Sequence, residues 1–174
     1  MTTTSDGVVN TPMWNEKGTS CRYGWPSDGK VNNFQAVQWL SEACKKFHYD
    51  IVVTSTWRDK YNYKECLING GLRAGIEILG KTEHLDVSEG WSRGYEIQKY
   101  IDEHPEISYF MIIDDEYVPI NEVQKAHFIQ TDDDRGGFGL HDFKKFEEIY
   151  MRDLGHGGSF LARKYKDYRK EPME

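Results

Sequence analysis

The sequence has few cysteines, no long apolar run and no excess of basic residues. Its 174 residues include only Cys21, Cys44 and Cys66. An odd number of widely spaced cysteines favours neither a disulfide framework nor a zinc site, and is typical of the reducing cytoplasm. No apolar run approaches the roughly 18 residues that a transmembrane helix needs, and no signal peptide pattern follows Met1. The sequence therefore predicts a cytoplasmic protein that does not bind a membrane.

Positive charge is in the minority, because 29 acidic residues outnumber 22 basic ones and give a formal net charge of −7. Extensive nonspecific binding to nucleic acid depends on Lys and Arg that neutralise phosphates, so this balance argues against it. Basic residues do alternate with aromatic ones between Arg163 and Lys170. Such a composition can bind a single-stranded nucleic acid, although a solvated helix or a frayed end has the same composition.

Two short apolar runs predict buried strands, and each leads into polar residues. The runs are Ile51–Val53 and Tyr109–Ile113. The first continues into Thr54 and Ser55, and the second into Asp114 and Asp115. Because open α/β sheets bind ligands at the carboxyl ends of their strands, these four side chains are expected to lie at a ligand site.

The four side chains carry the chemistry of a phosphate and metal site. Hydroxyls donate to phosphate oxygens, and neighbouring carboxylates repel each other unless a divalent cation lies between them. The pair Asp114 and Asp115 therefore predicts a magnesium site, although a solvated turn can have the same sequence. Arg93 starts a predicted helix, where it either brings positive charge to this pocket or lies on the surface.

Helical periodicity fills the chain around the two apolar runs. Helices are predicted over 34–47, 61–68 and 72–79, from Ser92 to the residue before His104-Pro105, and over 140–154. Further strands are predicted near 82–87 and over 126–130, whereas the first ten residues make a poor strand because few of them are apolar. Strands that alternate with helices predict an α/β fold with a mainly parallel sheet covered on both faces.

One domain is predicted over residues 1–155. Within it, residues 11–33 contain Trp14, Tyr23 and Trp25 without any period, which predicts an ordered loop. A long loop inside a compact domain is usually functional. Residues 156–174 are predicted to form a separate basic and aromatic C-terminal tail, which a glycine-rich linker joins to the domain.

Five short motifs occur in an order and spacing that resemble the haloacid-dehalogenase superfamily. They are Asp6–Asn10, Val53–Arg58, Arg93–Ile97, Ile112–Asp115 and Gly139-Leu140. The set is most similar to the haloacid-dehalogenase domains of Swiss-army-knife RNA repair proteins, and the resemblance covers residues 4–152. It implies a three-layer Rossmann-like sheet with a central first strand and a minimal cap, which the 11–33 loop would form.

The resemblance also implies a Mg²⁺-dependent phosphatase or nucleotidase. Thr54, with Ser55 and Arg58, takes the position that binds the phosphoryl group. Arg93 takes the position of the basic residue that stabilises the charge of the transition state. An almost capless site is open, so the implied partner is a phosphorylated small molecule or a nucleic-acid end.

The acidic motifs are the second part of the resemblance. Asp114 and Asp115, together with Asp6, take the metal-binding positions, and Asp6 also takes that of the general acid and base. The position of the usual nucleophile, an aspartate that forms a phosphoenzyme, is occupied by Thr4. Threonine supplies neither the carboxylate nucleophile nor the anionic metal ligand, so the family chemistry is altered at this point.

Three functions therefore stay open from the sequence. The first is a phosphatase that acts on a nucleotide or a nucleic-acid end. The second is a catalytically impaired phosphate- or nucleotide-binding regulatory module, which Thr4 favours. The third is a structural or partner-binding protein, which the aromatic content of 14% favours.

Overall fold

The computed structural model describes residues 2–3, 34–55, 58, 62–85, 93–132 and 137–155. Four parts of the chain with predicted roles lie outside the described residues: Thr4, Asp6, the 11–33 loop and the 156–174 tail. Among the described residues, no helix is both long enough and apolar enough to cross a membrane.

A five-stranded sheet is the centre of the fold. Its strands are β1 (Thr2–Thr3), β2 (Ile51–Val53), β3 (Ile78–Lys81), β4 (Ile112–Asp114) and β5 (Phe128–Gln130). They lie in the order β3-β2-β1-β4-β5, and every neighbouring pair is parallel. The predicted α/β class with a parallel sheet is thus confirmed for the described part of the chain.

Helices alternate with the strands along the chain. They are α1 (Phe34–Phe47), α2 (Tyr63–Asn69), α3 (Arg93–Glu103), α4 (Glu122–Ala126) and α5 (Leu140–Gly155). The predictions for α1, α3 and α5 are confirmed, because their apolar residues recur at helical spacing. The end of α3 at Glu103, two residues before Pro105, agrees with the backbone restriction that proline imposes on the residue before it.

Alternate residues of the apolar strands pack into two separate clusters. Ile51, Val53 and Ile113 belong to the first cluster, together with residues of α1 and α5. Ile112 belongs to the second cluster, together with Ile97 and Ile101 of α3. Because successive strand residues point to opposite faces of a sheet, this division explains why the strands are apolar without alternation.

Aromatic packing between α1 and α5 closes the first cluster. Phe146 is fully buried, and its ring stacks on that of Phe47 with the ring centroids 5.3 Å apart. Burying one such side chain stabilises the fold by about 1.5–3 kcal/mol. The contact between the two helices fixes one layer against the sheet.

The segment between α2 and β3 corrects the sequence prediction. The helix predicted over 72–79 is wrong, and β3 begins at Ile78, earlier than the strand predicted near 82–87. Gly71 and Gly75 have φ of 96° and 86°, a left-handed conformation that turns the chain and interrupts a helix. Ile78 then pairs with Ile51 in the sheet.

The sequence did not predict two short elements, β1 and α4. β1 lies at the centre of the sheet, although the first residues looked too polar for a strand. Its register places Thr3 beside both Val53 and Ile113. Threonine is β-branched and suits a strand, so pairing on both sides outweighs its low hydrophobicity. Helix α4 was not predicted at all, since its five residues are too few to show a period.

Candidate functional site

The candidate site lies at the carboxyl edge of the parallel sheet. Thr54 and Ser55 follow β2 directly and are each 1% exposed, and Asp114 is the last residue of β4 with no exposed surface. β1 lies between these two strands, with Thr3 in register with the residue before Thr54 and the residue before Asp114. The three strand ends therefore meet in one place, as the sequence predicted for β2 and β4.

Arg93 contacts Asp114 across this edge. The sequence had left two positions open for Arg93, in the pocket or on the surface, and the contact supports the first. The Nη1 atom of Arg93 lies 2.9 Å from each carboxylate oxygen of Asp114. The backbone N–H of Glu116 donates to Oδ1 of the same carboxylate at 3.0 Å. The carboxylate of Glu116 lies 3.7 Å from the guanidinium and extends the ion pair towards solvent.

The electrostatics of Asp114 follow from its burial. Loss of hydration raises the pKa of this carboxyl from 3.8 to about 7, even though the Arg93 guanidinium lowers it. The negative charge is thus only partly compensated by the protein. A buried carboxylate of this kind is stabilised by a further positive charge, whether a proton or a cation.

The position of Arg93 depends on how closely α3 approaches its neighbours. A Cβ atom on Gly94 would lie 2.2 Å from the carbonyl oxygen of Val118 and 2.6 Å from a methyl carbon of Ile120. The side-chain amide of Gln124 also donates to the carbonyl of Gly94 at 3.0 Å. Only glycine permits this contact, so Gly94 determines how close α3 lies to its neighbours and hence the position of Arg93.

Arg58 is held by protein groups on both sides of its guanidinium. Its Nη1 atom donates to the carbonyl oxygen of Thr54, and its Nη2 atom donates to Oε2 of Glu96 at 2.8 Å. The side chains of Arg58 and Glu96 are 1% and 2% exposed. The phosphate contact that the sequence predicted for Arg58 stays a prediction.

Glu96 received no role from the sequence, although it lies in one of the five motifs. Its second carboxylate oxygen accepts from the backbone N–H of Leu85 at 3.1 Å. The sequence does contain a signal for the burial of Glu96. Glu96 lies three residues after Arg93, so the two side chains are neighbours on the helix surface, and Glu96 is adjacent to the buried Ile97. An acidic residue on an apolar helix face indicates a buried partner.

The predicted site residues thus form two groups in the described part of the chain. Arg93 contacts Asp114, while Thr54, Ser55 and Arg58 lie together after β2. Asp115 is half-buried, and its backbone carbonyl accepts from the side chain of Gln130 at 2.9 Å. Thr4 and Asp6, which carry the predicted nucleophile position and acid, lie outside the described residues.

The donor set at this edge fits a magnesium ion in its chemistry. Asp114 and Asp115 offer carboxylate oxygens, which are the ligands that this cation prefers. Burial raises the pKa of Asp114 despite the contact with Arg93, which is consistent with room for a further positive charge at this carboxylate. No cluster of three or more potential ligands occurs among the described residues, and Asp6, the third predicted ligand, is not one of them.

Comparison with known proteins identifies the family of this chain. The family model for the HAD domain in Swiss Army Knife RNA repair proteins matches residues 5–138. The match includes Asp6 and the ends of β2 and β4, and it begins one residue after Thr4. No curated protein and no solved structure matches the chain significantly. Since the matched residues make up more than half of the sequence, the chain belongs to the family of HAD domains found in Swiss Army Knife RNA repair proteins.

Proposed function

We propose that this chain is a Mg²⁺-dependent phosphohydrolase of the HAD type that acts on the terminal phosphate of a nucleotide or a nucleic acid. The observation that carries the proposal is the meeting of three parallel strand ends, where Arg93 binds Asp114 beside the strand that leads into Thr4. The family description supports a nucleic-acid end as the substrate, because it assigns these domains to RNA repair proteins.

The hydroxyls of Thr54 and Ser55 bind the phosphoryl oxygens in this proposal. Both residues lie at the end of a buried strand, so the protein holds them in place before the substrate arrives. Arg93 is 17% exposed and can face a bound phosphate while its guanidinium contacts Asp114. Its positive charge then stabilises the negative charge that the transferring phosphoryl group carries.

Asp114 and Asp115, together with Asp6, would hold the magnesium ion. When bound, the ion neutralises charge on the phosphate oxygens. Asp6 would donate a proton to the leaving oxygen. Thr4 takes the nucleophile position without a carboxylate, so catalysis relies on the metal and on positioning, and we expect a slow enzyme.

The finer architecture belongs to the same proposal. The division of the strand residues between two apolar clusters supports a three-layer fold with helices on both faces of the sheet. We propose that residues 1–155 form this domain and that the 11–33 loop serves as its minimal cap. The basic 156–174 tail would then be available to bind the backbone of a nucleic-acid substrate.

Phosphate release from nucleotides and from 5′- and 3′-phosphorylated oligonucleotides tests the proposal. We expect activity that requires Mg²⁺ and that Asp114→Asn lowers by at least 100-fold, because the substitution removes the metal-binding charge. Asp102→Asn on the exposed side of α3 is the matched control and should keep wild-type activity. Release that stays at background for every substrate, with and without magnesium, would contradict the proposal.

A phosphate-binding module without turnover is the second candidate, and Thr4 is the observation that favours it. This candidate predicts that calorimetry detects a phosphorylated ligand although no phosphate is released. It also predicts that Thr4→Asp creates activity, because the substitution restores a carboxylate nucleophile. Wild-type turnover that Asp6→Asn abolishes would exclude this candidate and support the enzyme.

A further inference from the structure

We propose that Arg58 and Glu96 form a positioning pair, which holds Thr54 and Ser55 at a fixed distance from Arg93 and contacts no substrate. The inference rests on the proposed function, because it concerns the same site. It assigns to Arg58 a task other than direct phosphate binding, and it assigns a task to Glu96 for the first time.

The surroundings of Arg58 support the first half of the inference. The guanidinium donates to the carbonyl of Thr54, and the backbone N–H of Arg58 donates to the carbonyl of Ser55 at 3.0 Å. Arg58 therefore binds the backbone of the two residues whose hydroxyls face the phosphate in the proposal. Moving the guanidinium away from Glu96 towards a phosphate would break a buried ion pair, which is strongly unfavourable.

The position of Glu96 on α3 supports the second half. One turn earlier, Arg93 binds Asp114 after β4, while Glu96 binds Arg58 after β2. One helix thus makes an ion pair with the end of each strand, and the two pairs have opposite polarity. Because the helix is a rigid element, it sets the spacing between the hydroxyls of Thr54-Ser55 and the guanidinium of Arg93.

The chain segment after β3 joins the same network. The Nζ atom of Lys81 donates to the backbone carbonyl of Arg58 at 3.1 Å, and Nδ1 of His84 lies 3.1 Å from Nη2 of Arg58. The same ring nitrogen lies 3.4 Å from Oε1 of Glu96, so His84 contacts both members of the pair. Three chain segments therefore converge on one buried ion pair, which is the arrangement expected of a positioning device and not of a substrate contact.

A double-mutant cycle on the full chain provides the kinetic test, with the best phosphorylated oligonucleotide as substrate. Arg58→Gln and Glu96→Gln should each lower kcat/KM by about 10- to 100-fold, and the double variant should be no worse than the worse single one. Arg58→Lys keeps the charge but cannot contact the Thr54 carbonyl and Glu96 at the same time, so its kcat/KM should be close to that of Arg58→Gln. A large loss confined to Arg58 variants, mainly in KM, would overturn the inference in favour of direct phosphate binding.

Amide hydrogen exchange without substrate tests the inference independently of activity. The informative amides are those of Arg58, which donates to Ser55, and of Thr82, which donates to the carbonyl of Val53 at 3.0 Å. Glu96→Gln should speed their exchange at least tenfold, whereas Glu103→Gln on the exposed side of α3 should not. Unchanged exchange in Glu96→Gln would overturn the inference, while faster exchange in an inactive protein would overturn only the proposed function.

Discussion

Replacing Gly94 by alanine tests whether the closeness of α3 to its neighbours sets the geometry of the site. The added Cβ atom would lie 2.2 Å from the carbonyl oxygen of Val118. This oxygen belongs to the backbone and cannot rotate away, unlike the end of a flexible side chain. Relief requires that α3 or the 118–120 segment shift by about 1 Å, because overpacked cores adjust by backbone movement.

The expected cost is the difference between two opposing effects. Overpacking costs about 1–3 kcal/mol and occasionally more. Alanine recovers up to about 1 kcal/mol through its higher helix propensity, and less near a helix end. Since both the Val118 oxygen and the Ile120 methyl must move, we expect a net loss of about 2 kcal/mol. For a chain of this size the melting temperature should fall by about 4–8 °C.

Thermal unfolding of Gly94→Ala beside Gly80→Ala measures this cost. A Cβ atom on Gly80 would have its nearest contact at 3.5 Å, to the hydroxyl of Tyr100, which is an ordinary distance. The control should therefore stay within about 1 kcal/mol of the wild type. If Gly94→Ala is as stable as the control, the close approach of α3 does not constrain the fold. Because Arg93 is the adjacent residue, activity should also fall by about 100-fold, as a 1 Å misplacement can cost.

Three further predictions concern the core. Phe146→Ala should destabilise the protein by about 3–5 kcal/mol in urea unfolding, because it leaves a cavity where a buried ring was. Met151→Ala on the exposed side of α5 is the control and should change the stability little. Equal effects of the two substitutions would contradict the burial of Phe146. Burial raises the pKa of the Cys44 thiol to about 12, so iodoacetamide at pH 8 should modify Cys44 only after unfolding, and rapid labelling of the native protein would refute its burial. Burial also lowers the pKa of His127 below 6.5, outweighing the nearby Asp153 carboxylate. Below pH 6.5 the unfolded state therefore binds a proton that the native state excludes, so stability should fall on acidification, and it should fall less in His127→Gln.

The sequence predicted those parts of the fold whose signals are local. Ile51–Val53 is apolar because both of its faces are buried. Such a run can be recognised as a strand from its own residues, without knowing which strands pair with it. The end of α3 before Pro105 is likewise determined by the backbone of one residue. The sequence also placed Arg93 and Asp114 near one another, because one starts a helix and the other ends an apolar run, and the two side chains do contact each other.

The remaining features depend on partners distant in the sequence. Thr2–Thr3 becomes a strand only because β2 and β4 pair with it on both sides. The apolar residues between 72 and 79 have helical spacing, but Gly71 and Gly75 adopt a left-handed conformation. Their conformation depends on the tertiary structure, which the local sequence does not determine. Glu96 is buried by Arg58, which lies 38 residues away, and no local pattern identifies that partner.

The central place of β1 has a consequence for the order in which the protein folds during synthesis. β1 pairs with β4, whose first residue follows about 110 residues later. At a synthesis rate of about 5–20 residues per second, the middle strand waits roughly 5–20 s for its second neighbour. Until then the edge of β1 that will pair with β4 is unpaired and can bind other chains. The strand that organises the candidate site is thus made before both of its neighbours in the sheet, and its pairing is completed only after β4 has been synthesised.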